Sequence, residues 1–192
     1  MYKKTLFTLA FFGAAISVSA QKLSGDISKL TGQTEVNLVL DFSGMTVNNQ
    51  PEESHIDYNV KNKTETEKEQ WLKEWNEDLR KNAYSFLTRD VSKATIKKGF
   101  SVGDYTNAEY TIHVKVININ SGYFAGIMAK PSSVTTEVRF VKTGETTQLA
   151  SVIYNNVSSR MSTDIPYFVT KIAMSFGTLG DKIGSTIVKQ LK

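Results

Sequence analysis

The chain contains no cysteine among its 192 residues and has only two histidines. The absence of cysteine excludes disulfide bonds, thiolate metal ligands, thiol nucleophiles and the acylated cysteine of a lipoprotein. The two histidines, His55 and His113, have no carboxylate or second histidine at the spacing of a metal site, so we expect surface residues rather than ligands. The sequence therefore predicts a protein with no metal ion and no other cofactor.

The sequence motifs of common catalytic sites are also missing. There is no Gly-x-Ser-x-Gly nucleophile elbow, and residues 177–185 lack the lysine and the glycine spacing of a phosphate-binding loop. Tyr167 and Lys171 match a dehydrogenase spacing, but no glycine-rich nucleotide turn follows the first strand. Because no set of residues combines nucleophile, base and orienting group, the sequence favours a non-catalytic protein. An enzyme whose site is assembled from distant residues stays an open alternative.

The N-terminal hydrophobic run is too short to span a membrane. Residues 6–18 are 13 residues long, whereas a spanning helix needs roughly 18 to 20. Lys3 and Lys4 precede this run, and small residues follow it at the positions of a signal-peptidase site. We therefore expect a signal peptide over residues 1–20, cleaved before Gln21, rather than an anchor. The mature chain, 21–192, is then a single periplasmic or secreted domain without a transmembrane span.

The sequence has little excess charge of either sign. The formal charge of +4 falls to +2 when Lys3 and Lys4 are removed with the signal peptide. Nucleic-acid-binding proteins usually show a basic stripe. The nearest group here is Lys93, Lys97 and Lys98, which we interpret as a solvated surface, so no nucleic acid partner is expected.

Alternation of apolar and polar residues predicts the strands. The pattern has a period of two over residues 36–42, 109–116 and 134–140, and a further strand is expected at 148–157. Short turns such as residues 142–145 favour antiparallel neighbours. The apolar phase changes at Ile117, which indicates a β-bulge or a strand end.

Two long amphipathic helices are expected. Thr64 and Glu67 form a capping box that opens a helix over residues 64–91, with Trp71 beside its apolar stripe. For Trp71 we weigh a ligand-stacking role against the favoured role of covering the rim of the sheet. A second helix covers residues 165–191. Its glycines at 177, 180 and 184 predict close backbone approach to the sheet or the first helix, or else a break near Gly177.

Together these patterns predict an α+β fold of two layers. We expect a mostly antiparallel sheet of four to five strands, with both long helices on one face. Between the first strand and the first helix, residues 45–63 are polar and rich in turns. They are either a lid, a binding loop or a disordered segment, or else a short extra hairpin.

Two short motifs carry a family resemblance. Residues 107–110 read Asn-Ala-Glu-Tyr at the entry to the central strand, and residues 142–145 read Lys-Thr-Gly-Glu in the next turn. With this order of elements, the chain resembles the TolB amino-terminal domain and the curli-secretion lipoprotein. With Trp71 and Trp75 it is also similar to secreted Bacteroidetes proteins that have paired tryptophans in the first helix. The resemblance implies a non-catalytic α/β module that binds envelope components.

The expected binding surface is the apolar segment 122–131. Tyr123, Phe124, Ile127 and Met128 are large apolar residues in a loop, where an exposed cluster marks an interaction site. The alternative is that this loop folds back and caps the core. We therefore predict an envelope protein that acts as a protein-interaction module, with a carrier of a small apolar or glycan ligand as the second hypothesis.

Overall fold

The structure is a computed structural model that describes residues 22–125, 128–159 and 167–191. The first half of the described chain contains strands β1 to β4 and helices α1 to α3: β1 (Ser24–Gly25), β2 (Glu35–Asp41), β3 (Thr46–Val47), β4 (Gln50–Pro51), α1 (Glu52–Val60), α2 (Glu65–Lys73) and α3 (Leu79–Thr95). A π-helical turn, Glu74–Asp78, joins α2 to α3. The second half contains β5 (Ser101–Gly103), β6 (Tyr110–Asn120), β7 (Tyr123–Ala125), β8 (Met128–Lys130), β9 (Ser133–Lys142), β10 (Gln148–Ser158) and α4 (Phe168–Gln190).

The prediction of a mostly antiparallel sheet of four to five strands is wrong. Among the described residues the main sheet has eight strands in the order β1-β10-β9-β6-β2-β5, with β3 beside β6 and β4 beside β3. Strands β6, β9 and β10 are antiparallel neighbours, but β2 pairs in parallel with both β5 and β6. The fold is still α+β. The extra strands are two or three residues long, too short to carry a periodic signal.

The parallel pairing follows from the helices between β2 and β6. Parallel neighbours need a crossover connection, usually helical, and here α1 to α3 lie within the chain that separates the two strands. Asn37 of β2 lies opposite Thr111 of β6, and Asp41 lies opposite Lys115. The prediction inferred the direction of strand pairing from short turns, and it therefore missed this pairing between strands that are far apart in the chain.

Residues 45–63 contain the β3–β4 hairpin and helix α1, an element beyond the two helices that were predicted. Strands β3 and β4 are joined by Asn48 and Asn49, whose φ angles are 53° and 63°. Positive φ at both central residues is the geometry of the two-residue turn that suits the twist of a hairpin. Helix α1 follows at once. The hairpin alternative for this segment was expected to extend to Ile56 and Val60, but both residues belong to α1.

Two local predictions are confirmed. The phase change at Ile117 is a register shift between Val116 and Asn118 in the pairing of β6 with β9. At the start of α2 the capping box is complete, since the Thr64 amide donates to Glu67 Oε2 at 2.8 Å and the Glu67 amide donates to Thr64 Oγ1 at 3.4 Å. Both features depend on residues close in sequence, which is why they could be predicted.

Helices α3 and α4 pack closely against each other and cover the apolar face of the sheet. A Cβ added at Gly180 would lie 2.7 Å from the carbonyl oxygen of Leu87, and one at Gly184 would lie 2.6 Å from Cβ of Ala94. The predicted close backbone approach is therefore made to the first long helix, and α4 continues through Gly177 without a break. Within the described residues no helix is both long and apolar enough to cross a membrane.

Gly180→Ala tests this helix contact. Alanine usually stabilises a helix interior relative to glycine by about 0.5–1 kcal/mol. Here the added methyl group collides with the backbone of α3, so we expect the free energy of unfolding to fall by about 1–3 kcal/mol. Urea denaturation measures the change. Ser185→Ala, at an exposed position of the same helix, is the control, and a stabilised Gly180→Ala protein would contradict the close approach.

Candidate functional site

An aromatic groove lies where α1, α2 and the start of α4 meet the end of β6. Its volume is about 270 Å³. Four structural segments contribute its lining residues, which are His55, Asn59, Trp71, Ser121, Gly122, Tyr123, Phe168 and Lys171. We call this set the aromatic groove. It contains an apolar floor and several polar side chains, the composition of many binding sites.

Stacked aromatic rings form the floor. The rings of Trp71 and Trp75 are 5.6 Å apart at 7° between planes, and Phe168 stacks on Trp71 at 5.7 Å and 11°. Trp75, within the π-helical turn, is fully buried, and Trp71 is 9% exposed. Trp71 thus packs mainly on protein, in line with the structural role favoured for it, although it also lines the groove. Turns of this π-helical type are frequent at functional sites.

One carboxylate fastens α1 against this floor. Glu52 Oε1 accepts a hydrogen bond from Trp75 Nε1 at 2.7 Å and another from Arg80 Nη2 at 3.1 Å. Arg80 also donates to the carbonyl oxygen of Trp75 at 3.0 Å. No residue of α1 is fully buried. Ile56 and Val60 pack against the core while only partly buried, so these polar contacts add to what holds α1 in place.

His55 is the part of α1 that enters the groove. Its ring centroid lies 4.8 Å from that of Trp75 and 6.0 Å from that of Trp71. Asn59 Nδ2 donates to the backbone carbonyl oxygen of His55 at 2.8 Å. Burial lowers the pKa of His55 below its usual value, and the negative charge of Glu52 opposes this shift. The imidazole is therefore neutral at neutral pH.

The opposite wall is the connection from β6 to β7. Gly122 has a φ of 68°, and a Cβ there would lie 2.4 Å from the carbonyl oxygen of Lys130. Only glycine suits both constraints. Asn48, in the tip of the β3–β4 hairpin, supports this connection, because its Oδ1 accepts from the Ser121 amide at 3.1 Å. The small hairpin therefore positions one wall of the groove.

The predicted partner-binding residues lie on a two-stranded hairpin beside the groove. Tyr123 is 50% exposed, lines the groove, and pairs with Lys130 across the β7–β8 ladder. The backbones of Phe124 and Met128 belong to β7 and β8, but their side chains lie outside the described part of the chain. Ile127 lies outside the described residues altogether. The structure thus brings Tyr123 to the candidate site, and the partner-binding role remains a prediction.

The groove residues from α1 and α4 were not predicted as site residues. Phe168 was expected on the apolar stripe of the second helix, and His55 was expected on the surface. Lys171 is held near the groove by its backbone, whose carbonyl oxygen accepts from Ser132 Oγ at 2.7 Å. The sequence signal that could have pointed here is the pair Trp71 and Trp75, four positions apart on one helix face.

The chemistry of the groove suits binding. Among the described residues the lining offers an imidazole, an ammonium, an amide and hydroxyl groups, and none of these residues is a carboxylate. The described residues contain no group of three or more histidine or acidic side chains that could hold a metal ion. His113 is remote, on the outer face of the sheet, where Arg139 Nη2 lies 3.3 Å from its Nδ1. The pKa of His113 is also lowered, mainly by burial and next by the positive charge of Arg139.

Comparison with known proteins gives only distant structural matches. No family model and no curated protein sequence matches this chain. A variant of PelC from Paraburkholderia phytofirmans, solved as a dodecamer, has 13% identity and a TM-score of 0.40, and the match covers 83% of this chain and 98% of that chain. Protein XCC0632 from Xanthomonas campestris, described as a DUF330 protein, has 12% identity and a TM-score of 0.36, with 88% of this chain and 95% of that chain covered. These matches do not confirm the resemblance to TolB and the curli-secretion lipoprotein.

His55 predicts a pH dependence of stability. Its folded pKa is lower than that of the unfolded chain, so acidification protonates the unfolded chain more readily and favours unfolding. The loss should begin as the pH falls below the ordinary histidine value of about 6.5. We expect His55→Phe, which keeps an aromatic ring, to lose less stability than the parent from about pH 7 to about pH 5. Urea denaturation of both proteins measures this difference, and equal pH slopes would refute it.

Proposed function

We propose that this chain is a non-catalytic protein of the cell envelope, secreted or periplasmic, that works by binding a protein partner at the aromatic groove. The observation that carries the proposal is the position of Tyr123. Its half-exposed ring stands at the edge of a groove whose floor is made of other aromatic rings. Exposed aromatic residues next to a well-packed pocket are typical of the energetic centre of protein interfaces.

The polar groups of the groove support binding over catalysis. A general base must reach the proton that it removes and is oriented by a third group. The acid whose charge acts on His55 is Glu52, and that carboxylate already accepts hydrogen bonds from Trp75 and Arg80. Asn59, the other polar neighbour on α1, donates to the His55 backbone and lies 3.4 Å from the ring Nε2, where it offers an amide and not a carboxylate. His55 therefore has the surroundings of a packed aromatic residue.

A small-ligand carrier is the second candidate. The groove volume of about 270 Å³ is close to the lower end of ligand pockets, which begin near 300 Å³. An apolar or glycan ligand of that size would contact the same aromatic floor. A small ligand and a protein partner differ in the area that they cover, because a stable protein interface buries about 800 Å² on each partner. Protection of β7 and β8 as well as the groove would favour the protein partner.

Cleavage of the signal peptide tests the proposed location. We expect material from the envelope or culture medium of producing cells to have the mass of a chain that begins at Gln21. The measurement is intact-mass spectrometry after fractionation, with a cytoplasmic marker as the control for lysis. A chain that keeps residues 1–20 would contradict cleavage and favour an anchored form.

Tyr123→Ser tests the proposed binding surface. Because the ring is half exposed, we expect the free energy of unfolding to change by less than about 1 kcal/mol, while capture of the partner by crosslinking in intact cells is weakened. Tyr58→Ser is the matched control, since Tyr58 is 70% exposed and lies outside the groove lining. If Tyr123→Ser lowers the melting temperature strongly and recovers the same partners, Tyr123 has a structural role and the proposal fails.

A further inference from the structure

We propose that His113 and Arg139 form a proton-operated switch on the outer face of the sheet, in which protonation of the imidazole transfers the guanidinium to Glu137. The inference goes beyond the proposed function, since none of these three residues is among the described lining of the aromatic groove. It rests on the strand pairing, on the hydrogen bond between the two side chains, and on a buried donor of Arg139 that has no hydrogen-bond partner among the described residues.

Strand pairing places the three side chains side by side. His113 of β6 lies directly opposite Arg139 of β9, and on its other side it lies opposite Val39 of β2. Directly opposite residues of neighbouring strands share one face of a sheet. Glu137 is two positions before Arg139 on β9 and therefore belongs to the same face. The sheet thus fixes the relative positions of all three residues.

The contact between the two side chains determines where His113 carries its proton. Arg139 Nη2 lies 3.3 Å from His113 Nδ1. A guanidinium has N–H donors and no acceptor, so the imidazole nitrogen must accept this hydrogen bond. The neutral ring therefore carries its proton on Nε2. Protonation of Nδ1 turns the acceptor into a donor and places two positive charges side by side, so the contact is lost in the imidazolium form.

Glu137 offers Arg139 a second acceptor. Arg139 Nε lies 3.8 Å from Glu137 Oε2, which is too long for a hydrogen bond. This Nε is buried and has no hydrogen-bond partner in the described part of the chain, and an unsatisfied buried donor costs free energy. A shift of the guanidinium toward Glu137 satisfies it. The two side chains are 37% and 35% exposed, so the shift is a change of surface rotamers that leaves the core intact.

The charged groups that act on His113 come from three strands. Within the described chain they are Asp41 of β2, Lys115 of β6, and Glu137 and Arg139 of β9. On the far side of β9 the residue opposite Arg139 is the uncharged Ser151 of β10. Burial and then the charge of Arg139 lower the pKa of His113, whereas the two carboxylates oppose this shift. The imidazole is therefore neutral at neutral pH and is protonated on acidification.

Asp41 and Lys115 stay paired while the switch operates. Lys115 Nζ donates to Asp41 Oδ2 at 3.2 Å, and the Ser43 amide donates to Asp41 Oδ1 at 2.8 Å. Hydrogen bonds from Ser43 and then from Lys115 lower the pKa of Asp41 to about 2, so this carboxylate keeps its charge while histidine titrates. The two acids and two bases around His113 cancel in the neutral state. Protonation therefore gives this cluster one net positive charge and moves Arg139, a change of the kind that histidine-based pH sensors use.

Nitrogen NMR of the side chains tests the switch. The chain has two histidines, so His55→Phe identifies the signals of His113 by elimination, and Arg139→Met identifies the Nε–H signal of Arg139. We would titrate the purified mature protein from about pH 8 to about pH 4, a range that brackets the ordinary histidine value of about 6.5. We expect the Nε2–H tautomer at the upper end, a His113 midpoint below that ordinary value, and a change at Arg139 Nε with the same midpoint.

Charge variants test the coupling from the other side. Arg139→Met removes the cation beside the imidazole, so we expect the proton affinity of His113 to rise about threefold, the effect of one partly exposed charge pair. Glu137→Met removes a negative charge and should lower this affinity by a similar factor. Arg89→Met is the matched control, because Arg89 also forms an ion pair, with Asp90 at 2.7 Å, but belongs to α3 on the other face of the sheet. It should leave the titration of His113 unchanged.

Four results would overturn the inference. They are a neutral His113 that carries its proton on Nδ1, a midpoint at or above the ordinary histidine value, an Arg139 Nε signal that does not follow the titration of His113, and an Arg139→Met protein in which His113 titrates as in the parent. The tautomer, the midpoint and the Nε signal are all read from the parent protein. The test therefore does not depend on how well the charge variants fold.

Discussion

Burial of one apolar face of the sheet beneath a tightly packed helix pair is the constraint on which the rest of the structure depends. Strands β6 and β9 place Ile112, Val114 and Val138 on that face, fully buried, while charged residues occupy the other. A single apolar face needs one covering layer. Helices α3 and α4 supply it, and the glycines of α4 let their backbones approach. This packed layer holds in place the elements that line the groove.

The aromatic groove forms where this layer ends. At the N-terminal end of α4, the partly buried Phe168 packs on the edge of the core and stacks on Trp71. The α2 segment that carries Trp71 is linked to α3 through the π-helical turn, and Trp75 within that turn is fully buried. The floor is thus an extension of the core, whereas the walls are short, polar segments. Rigid floors with adaptable walls are common at binding sites, because a rigid scaffold positions residues on mobile loops.

Helix α1 is the most weakly held wall. It has no fully buried residue; Ile56 and Val60 are only partly buried against the core, and the other links are the hydrogen bonds of Glu52 and the ring contacts of His55. Elements with few buried apolar contacts are those that open first in native proteins. Protonation of His55 acts on this same wall, so the stability of the groove and its pH response share one physical origin.

The sequence alone determined those features that depend on neighbouring residues. Alternation predicted the long strands, the capping box of Thr64 and Glu67 predicted the start of α2, and the phase change at Ile117 predicted a bulge. These signals are local, since strand and helix periodicity act over a few residues. The wider fold was only partly predictable. Strands of two or three residues have no period, and the parallel pairing of β2 with β6 joins residues about 74 positions apart in the chain.

The tertiary structure alone decided the candidate site. Tyr123 could be proposed from its apolar segment, and Trp71 and Trp75 from their spacing, but nothing in the sequence joins them to His55 or Phe168. Those residues meet because the helical crossover and the return of the chain through β9 and β10 bring distant segments to one end of the sheet. Contacts of this kind are set by how layers pack, and packing depends on shape across the whole core. The sequence therefore indicated which side chains could take part in binding, and the fold determined that they meet at one site.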